Sequence, residues 1–347
     1  MLEAERFLRT AISLRPDFAD AHSNLGALLE KQDRMDEAMA CYREALHVKP
    51  DHANARYNLG HVLKALGRFS EAIDCYHQTL AIEPKHANCH YSLATIELSL
   101  GHFAQGWNHY RYRPAMRGHN APAIPPCLPA ALAGQSVSLL SEQGLGDEMF
   151  FLRFIPRLQE RGAGPITYYR AGRKLVPLLT RAHVMDHIAK PHDSPEPNDG
   201  AIPIGELPRL LEMERIEQIP PVLMLAPMPA SVEAMRARLH VLGPPPYIGV
   251  TWRAGTPDEE LALYKACPLS RLAVALGNVT ATVLVLQRHP APGEIEAFTQ
   301  ALGRPVHDLS SLNKDLEQML ALLAQIDDYI GVSNTNMHLR AGAGKTA

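Results

Sequence analysis

Small and apolar positions in the N-terminal part of the chain recur at a period of 34 residues. Pro16, Pro50 and Pro84 keep that step, and so do Leu25-Gly26, Leu59-Gly60 and Leu93-Ala94. Ala38, Ala72 and Gly106 form another such series, as do Tyr42, Tyr76 and Tyr110. Within one period the spacing is helical. Residues 55–65 carry Tyr57, Leu59, Val62 and Leu63 on one face, and Gly60 lets a neighbouring helix come close. Gly67 ends that helix. A second one is predicted over residues 69–82, where Ala72, Tyr76, Thr79 and Leu80 fall at steps of three and four, and Pro84 stops it. Gly106, Trp107 and Tyr110 close the third unit, with Trp107 expected to cover the end of the stack. Residues 4–11 match only the second helix of a unit, so the array is expected to begin inside a longer one.

A helix-turn-helix unit of this length, with small residues at fixed points and a closing proline, resembles the tetratricopeptide repeat, which stacks into a superhelix. The resemblance implies a solenoid over residues 1–113 that binds a partner. Asn24 and Asn58 share one repeat position, and Asn54 and Asn88 share another. Stacked amides on the first helices would suit an extended peptide backbone, since each offers donor and acceptor. They are equally readable as solvated polar positions.

The pattern then changes. Pro114, Pro122, Pro125, Pro126 and Pro129 interrupt any helical period, predicting an extended linker over 114–133. From 134 onward short apolar strands alternate with helices: strand 136–140, helix 149–159, strand 166–169 and helix 174–179. A proline-rich passage over 191–229 gives only loops and weak elements. After Pro244-Pro245-Pro246 the alternation restarts with strand 247–252, helix 269–276, strand 282–286, helix 294–302, strand 305–309, helix 316–325 and strand 328–332. Such alternation marks a parallel α/β sheet. The expectation is an α solenoid followed by two Rossmann-like halves, 134–243 and 244–347, with a ligand cleft between them and the second half incomplete.

Composition narrows the classes. Of 347 residues, 46% are hydrophobic and 20% charged, and the net charge of −3 gives no electrostatic reason to expect nucleic acid. No run approaches the roughly 20 apolar residues of a membrane span. Glu3, Glu5 and Arg6 directly after Met1 show no secretory signal. Cys41, Cys75, Cys89, Cys127 and Cys267 form no C-x-x-C pair, which reads as a reduced, cytoplasmic set.

The segment Glu142-Gln143-Gly144-Leu145-Gly146-Asp147-Glu148 follows a strand and opens a helix. Its glycines permit a tight turn, and free backbone N–H groups would face the cleft at a positive helix end. Asp147 there suits a base or a sugar-hydroxyl acceptor, with Glu148 as a substitute, or else a simple helix N-cap. Together with Phe151, Arg153 and Pro156, the segment resembles the start of the glycosyltransferase-like domain of many bacterial tetratricopeptide repeat proteins. That domain is similar to the lipopolysaccharide heptosyltransferases, of two-domain GT-B fold. Further resemblance lies in Gly106, Trp107, Tyr110 and Arg113 at the junction, in Gly249 to Thr256, and in Val332 to Leu339.

The resemblance implies inverting transfer from a nucleotide-sugar donor, with the repeats selecting a protein or glycan acceptor, as in the similarly arranged O-linked N-acetylglucosamine transferases. It assigns Asp147 as base and places the donor near Gly144 and Gly146. Arg253 and Lys265 would hold the diphosphate, with hydrogen bonds from Thr251, Ser333, Asn334, Thr335 and His338, while Gln287 and Arg288 would meet base or ribose. It implies no metal and no cofactor beyond the donor. Two departures weigh against a heptose donor. The family's Asp-Thr-x-x-x-His reads Asn334-Thr335-Asn336-Met337-His338, and its basic-Ser pair reads Lys265-Ala266. The alternative is a non-catalytic scaffold with a degenerate transferase-like domain. Gly342 to Thr346 is no Walker loop, because Leu339 stands where its first glycine belongs. His86 with His90, and His183 with His187, lack the third ligand of a metal site.

Overall fold

A computed structural model describes residues 2–117, 124–142, 144–190, 192–195, 200–254 and 265–346, the side chain of Lys265 excepted. Gln143, Pro122, Gly255 and Thr256 lie outside the described residues. The chain forms two compact units, one of residues 1–121 and 212–218, the other of residues 122–211 and 219–347.

The first unit is built of helices α1 (Leu2–Leu14), α2 (Ala19–Glu30), α3 (Met35–Val48), α4 (Ala53–Ala65), α5 (Phe69–Ile82), α6 (Ala87–Ser99) and α7 (Phe103–Tyr110). Pairs α2/α3, α4/α5 and α6/α7 are the three repeating units. Their glycines are explained by contact: a Cβ on Gly26 would lie 2.6 Å from the Tyr42 ring, and one on Gly60 2.8 Å from the Tyr76 ring. The periodic prolines do more than stop a helix. The carbonyls of Pro16, Pro50 and Pro84 accept hydrogen bonds from His22, Arg56 and His90, each six residues on. Trp107 is buried.

The second unit contains β1 (Val137–Leu140), α8 (Leu145–Leu152), α9 (Ile155–Glu160), β2 (Ile166–Tyr169), α10 (Val176–Ala182), β3 (His187–Ile188), β4 (Ile202–Pro203) and α11 (Leu207–Leu210). Then follow α12 (Pro229–Leu242), β5 (Tyr247–Thr251), β6 (Arg253–Ala254), β7 (Lys265–Ala266), α13 (Leu269–Leu276), β8 (Thr282–Val285), α14 (Glu294–Leu302), β9 (His307–Asp308), α15 (Leu316–Leu323), β10 (Asp328–Gly331) and α16 (Thr335–Gly342). Two four-stranded sheets result, in the orders β3-β2-β1-β4 and β10-β5-β8-β9, with every pairing in both parallel. Strand β5 is buried at all five residues, as a central parallel strand should be.

One expectation is corrected, and two further features add to the sequence reading. The helix expected over 149–159 is two helices, because Pro156 sits in the first turn of α9 and the chain is already broken at Phe154. The proline-rich passage is followed by a full helix, α12, opened by Pro229 and ended at Gly243. The described part of the linker is pinned, since Arg209 donates to the carbonyls of Pro125 and Pro126 at 3.1 and 2.7 Å and is held by the buried Glu206.

Candidate functional site

Two places gather polar side chains. The first is a groove of about 330 Å³ on the repeats, lined by Asp20, Ser23 and Asn24 of α2, Asn54, Tyr57 and Asn58 of α4, Asn88 of α6, and His52 and His86 before those last two helices. All four asparagines singled out in the sequence line it. Asn24 and Asn54 are exposed, Asn58 and Asn88 half-buried. Stacking explains the convergence: each first helix presents the same positions one period on.

The sequence reading missed the two histidines of the groove. His52 and His86 are helix N-caps whose Nδ1 atoms accept from Ala55 N at 3.2 Å and Cys89 N at 3.1 Å. A neutral ring accepting at Nδ1 carries its proton on Nε2. His52 Nε2 therefore donates to Asp20 Oδ1 at 3.0 Å, and His86 presents an N–H in the groove beside the Tyr57 ring, 4.8 Å away. Their step of one repeat, directly after the prolines, was the signal available.

The second place is where α8 and α16 begin. A Cβ on Gly146 would lie 3.3 Å from His338 Cδ2 and 3.6 Å from Thr335 N, so the first turns of α8 and α16 come within contact distance here. Gly144 is the N-cap of α8, and Asp147 is an exposed residue of its first turn. The cap position itself is that of Gly144, three residues before Asp147. Its neighbours are turned inward. Glu148 is buried, accepts from Ser141 Oγ and from Gly172 N at 3.2 Å, and burial pushes its carboxyl above the usual range. Glu142 Oε1 accepts from Gly205 N at 2.7 Å.

Several residues that the resemblance assigns to a donor have internal partners. Asn334 is the N-cap of α16, its Oδ1 accepting from Asn336 N at 2.9 Å while Nδ2 donates to Thr251 Oγ1 at 2.9 Å. Thr251 is buried and also bonded to Tyr329 Oη at 2.7 Å. Gln287 is buried, with Oε1 accepting from Trp252 N and Arg253 N and Nε2 donating to the carbonyls of Arg253 and Arg288, so it clamps two strand ends together. Arg253 pairs with Glu294 and donates to His289 O at 2.6 Å. Glu294 also accepts from Trp252 Nε1 at 2.6 Å and is held in the ionised form by Arg253 and these hydrogen bonds against burial. Arg288 and Ser333 are exposed, and Lys265 opens β7, which pairs antiparallel with β6. Among the described residues no group of three or more His, Cys, Asp or Glu is arranged to hold a metal, and no helix is long and apolar enough to cross a membrane.

Residues 17–85 match the family profile for the tetratricopeptide repeat. The N-terminal region carries tetratricopeptide repeats. A curated relative, protein FlbA of Caulobacter vibrioides, is 28% identical over 264 residues, covering 69% of this chain and 44% of FlbA. The chain thus spans less than half the length of that relative. Among solved structures, MamA is similar at 22% identity over 31% of this chain and 63% of its own, with a TM-score of 0.30. YrrB, described as a TPR protein with an unusual peptide-binding site, is similar at 24% identity over 29% of this chain and 53% of its own, with a TM-score of 0.29.

Proposed function

We propose that the protein is a partner-binding module in which the repeat groove holds an extended stretch of a protein partner. The observation that carries this reading is the single groove lined by Asn24, Asn54, Asn58 and Asn88 from three successive first helices. A peptide backbone alternates donor and acceptor, and a row of amides answers both without demanding a side chain. Replacing Asn54 and Asn58 together by Ala is expected to lower partner binding by about tenfold or more while leaving the melting temperature near wild type, since neither is in the core. Retained binding in the double variant, measured with partners captured on wild-type protein, would sink the groove.

A second reading concerns the α/β unit, as a glycosyltransferase-like domain of GT-B type using a nucleotide sugar. It is supported by the meeting of the first turns of α8 and α16 at Gly146, with Asp147 exposed beside it. Two helix starts favour a diphosphate between them. The resting arrangement also carries a cost for this reading, because Arg253 would have to leave Glu294 to hold phosphate. Calorimetry against uridine, guanosine, adenosine and thymidine diphosphate sugars tests it directly: saturable binding of one supports the transferase reading, and none leaves the unit as scaffold. A cytoplasmic location is part of the same proposal.

A further inference from the structure

Two of the helices that carry the groove amides are capped by histidine. His52 precedes α4 and His86 precedes α6, each with Nδ1 accepting from the third backbone N–H of its helix, while the matching Phe18 of the first repeat makes no side-chain cap. Asn54 and Asn88 are the second residues of the same two helices, so cap and groove amide belong to one turn. Both rings also line the groove themselves. His52 is buried and His86 half-buried.

A histidine cap differs from a Ser, Asn or Asp cap in one respect. Its acceptor is a lone pair that a proton can occupy, and imidazole is the side chain whose charge changes between about pH 5 and pH 8. With Nδ1 protonated, two N–H groups point at each other and a cation stands at the positive end of the helix. The groups facing the two rings do not undo this. Asp20 of α2 meets His52 at Nε2, which carries hydrogen in both states, so that bond survives protonation. Its carboxylate is 71% exposed, and its attraction for a charged ring is screened by water. His86 faces the Tyr57 ring of α4, and its charge acts on His90, one turn on in α6. The neighbouring cation is Arg117, which donates to Asn88 Oδ1 and acts on Tyr57. Lys49, Asp51, Glu83 and Lys85, in the turns before the caps, are exposed.

We infer that the groove is switched by pH: it holds an extended peptide while His52 and His86 are neutral caps, and releases it as they take a second ring proton. The inference rests on the groove reading and adds a regulation to it. His52 and His86 act as positioning residues, fixing the first turns that aim Asn54 and Asn88.

The test is an array of short random-sequence peptides probed with the full chain at about pH 7.5 and about pH 5. Wild type is expected to retain peptides about tenfold less well at the lower pH. In His52→Asn with His86→Asn the caps remain, because the Asn side chain accepts the same bond and takes no proton in this range. That variant should hold the same peptides to within about twofold at both values. Long-range nitrogen–proton spectra of the wild-type rings at about pH 8 should show the proton on Nε2 of both, and a second proton arriving over the range in which peptides are lost. Equal retention by wild type at both pH values overturns the switch and leaves the groove standing. No retention of any peptide at either value overturns the groove and the switch together. Equal acid loss in wild type and variant assigns the release to another group, and a variant that has lost the peptides at both values shows that the rings are contacts and not caps; either overturns the inference. It also fails if the spectra place the neutral proton on Nδ1, or if wild type at the lower pH melts below the assay temperature, since the release is then loss of the fold.

Discussion

The residues with the most unusual environment lie at the end of the repeats, between α6 and α7. His90 Nε2 is 2.9 Å from Pro84 O, which can only accept, so His90 donates there and its Nδ1 holds a lone pair. His109 Nδ1, 2.7 Å from that atom, must donate, which leaves the lone pair of its Nε2 facing Glu97 Oε2 at 3.9 Å. Glu97 is 5% exposed, and burial pushes its carboxyl up to about 7, while burial first and His90 second pull His109 down to about 4. Glu97 has a folded pKa above its unfolded value, so its contribution to stability is complete below about 4.5 and is lost as pH rises through about 7. The melting temperature of Glu97→Gln relative to wild type, followed by circular dichroism on the full chain, should therefore rise by several degrees between pH 5 and pH 8. His109 acts in the opposite sense. Its contribution is present above about 6.5 and lost as pH falls through about 4, so His109→Asn should gain on wild type toward acid. Parallel pH profiles for wild type and variants would overturn both assignments. Nothing in the one-dimensional pattern marks this cluster, because histidines are frequent in the chain and the pairing joins residues from two helices. Gln287 shows the converse. A polar residue at the end of a parallel strand reads as a ligand contact, yet here the backbone N–H groups of Trp252 and Arg253 needed an acceptor and Gln287 provides it.

At the scale of elements, legibility followed periodicity. Helix α5 and helices α13 and α14 have the predicted limits, since each has an apolar stripe bounded by Pro or Gly. The failures are where apolar residues run on without a break in pattern. Met149, Phe151, Leu152, Phe154, Ile155 and Leu158 are all buried and read as one helix, but they are divided between two, with Phe154 in the break. Helix α12 failed for the opposite reason, as its buried stripe is only Ser231, Met235 and Leu239 and the prolines before it dominate the passage. The last loop illustrates a departure that geometry explains. Asn334 stands where the resembling family has Asp, and it caps α16 through Oδ1, a role an Asp oxygen fills as well. Asn334→Asp is thus expected to change stability by less than about 0.5 kcal/mol, the lost donor to Thr251 being offset by a favourable charge at the helix start. Asn334→Ala loses cap and donor together and should cost about 1 to 2 kcal/mol in urea denaturation of the full chain. An Asp variant as unstable as the Ala variant would show that the bond to Thr251, and not the cap, is what the position requires.

For the molecule as a whole, the order of architectures was legible because the period changes from 34 residues to a strand-helix alternation, whereas the partners of individual site residues were not, because they depend on which strand ends and loops meet. The proposed functions of the two units make a joint prediction. The groove gathers its amides from α2, α4 and α6, while Asp147 belongs to α8, and no residue is shared. If the α/β unit transfers a sugar to a protein held by the repeats, Asn54→Ala with Asn58→Ala removes binding that is equal in ground and transition states. That double variant should raise KM for the protein acceptor about tenfold with kcat unchanged and with donor affinity untouched. Asp147→Asn removes proton acceptance alone, so it should lower kcat by roughly 100-fold with acceptor and donor affinities kept. Because Asp147 is exposed and is not the cap of α8, its variant should melt close to wild type. The two effects should multiply in the combined variant, as expected of sites that share no partner. Unchanged turnover in Asp147→Asn, beside a lost acceptor preference in the groove variant, would leave the repeats as the working part of the molecule and the α/β unit as their scaffold.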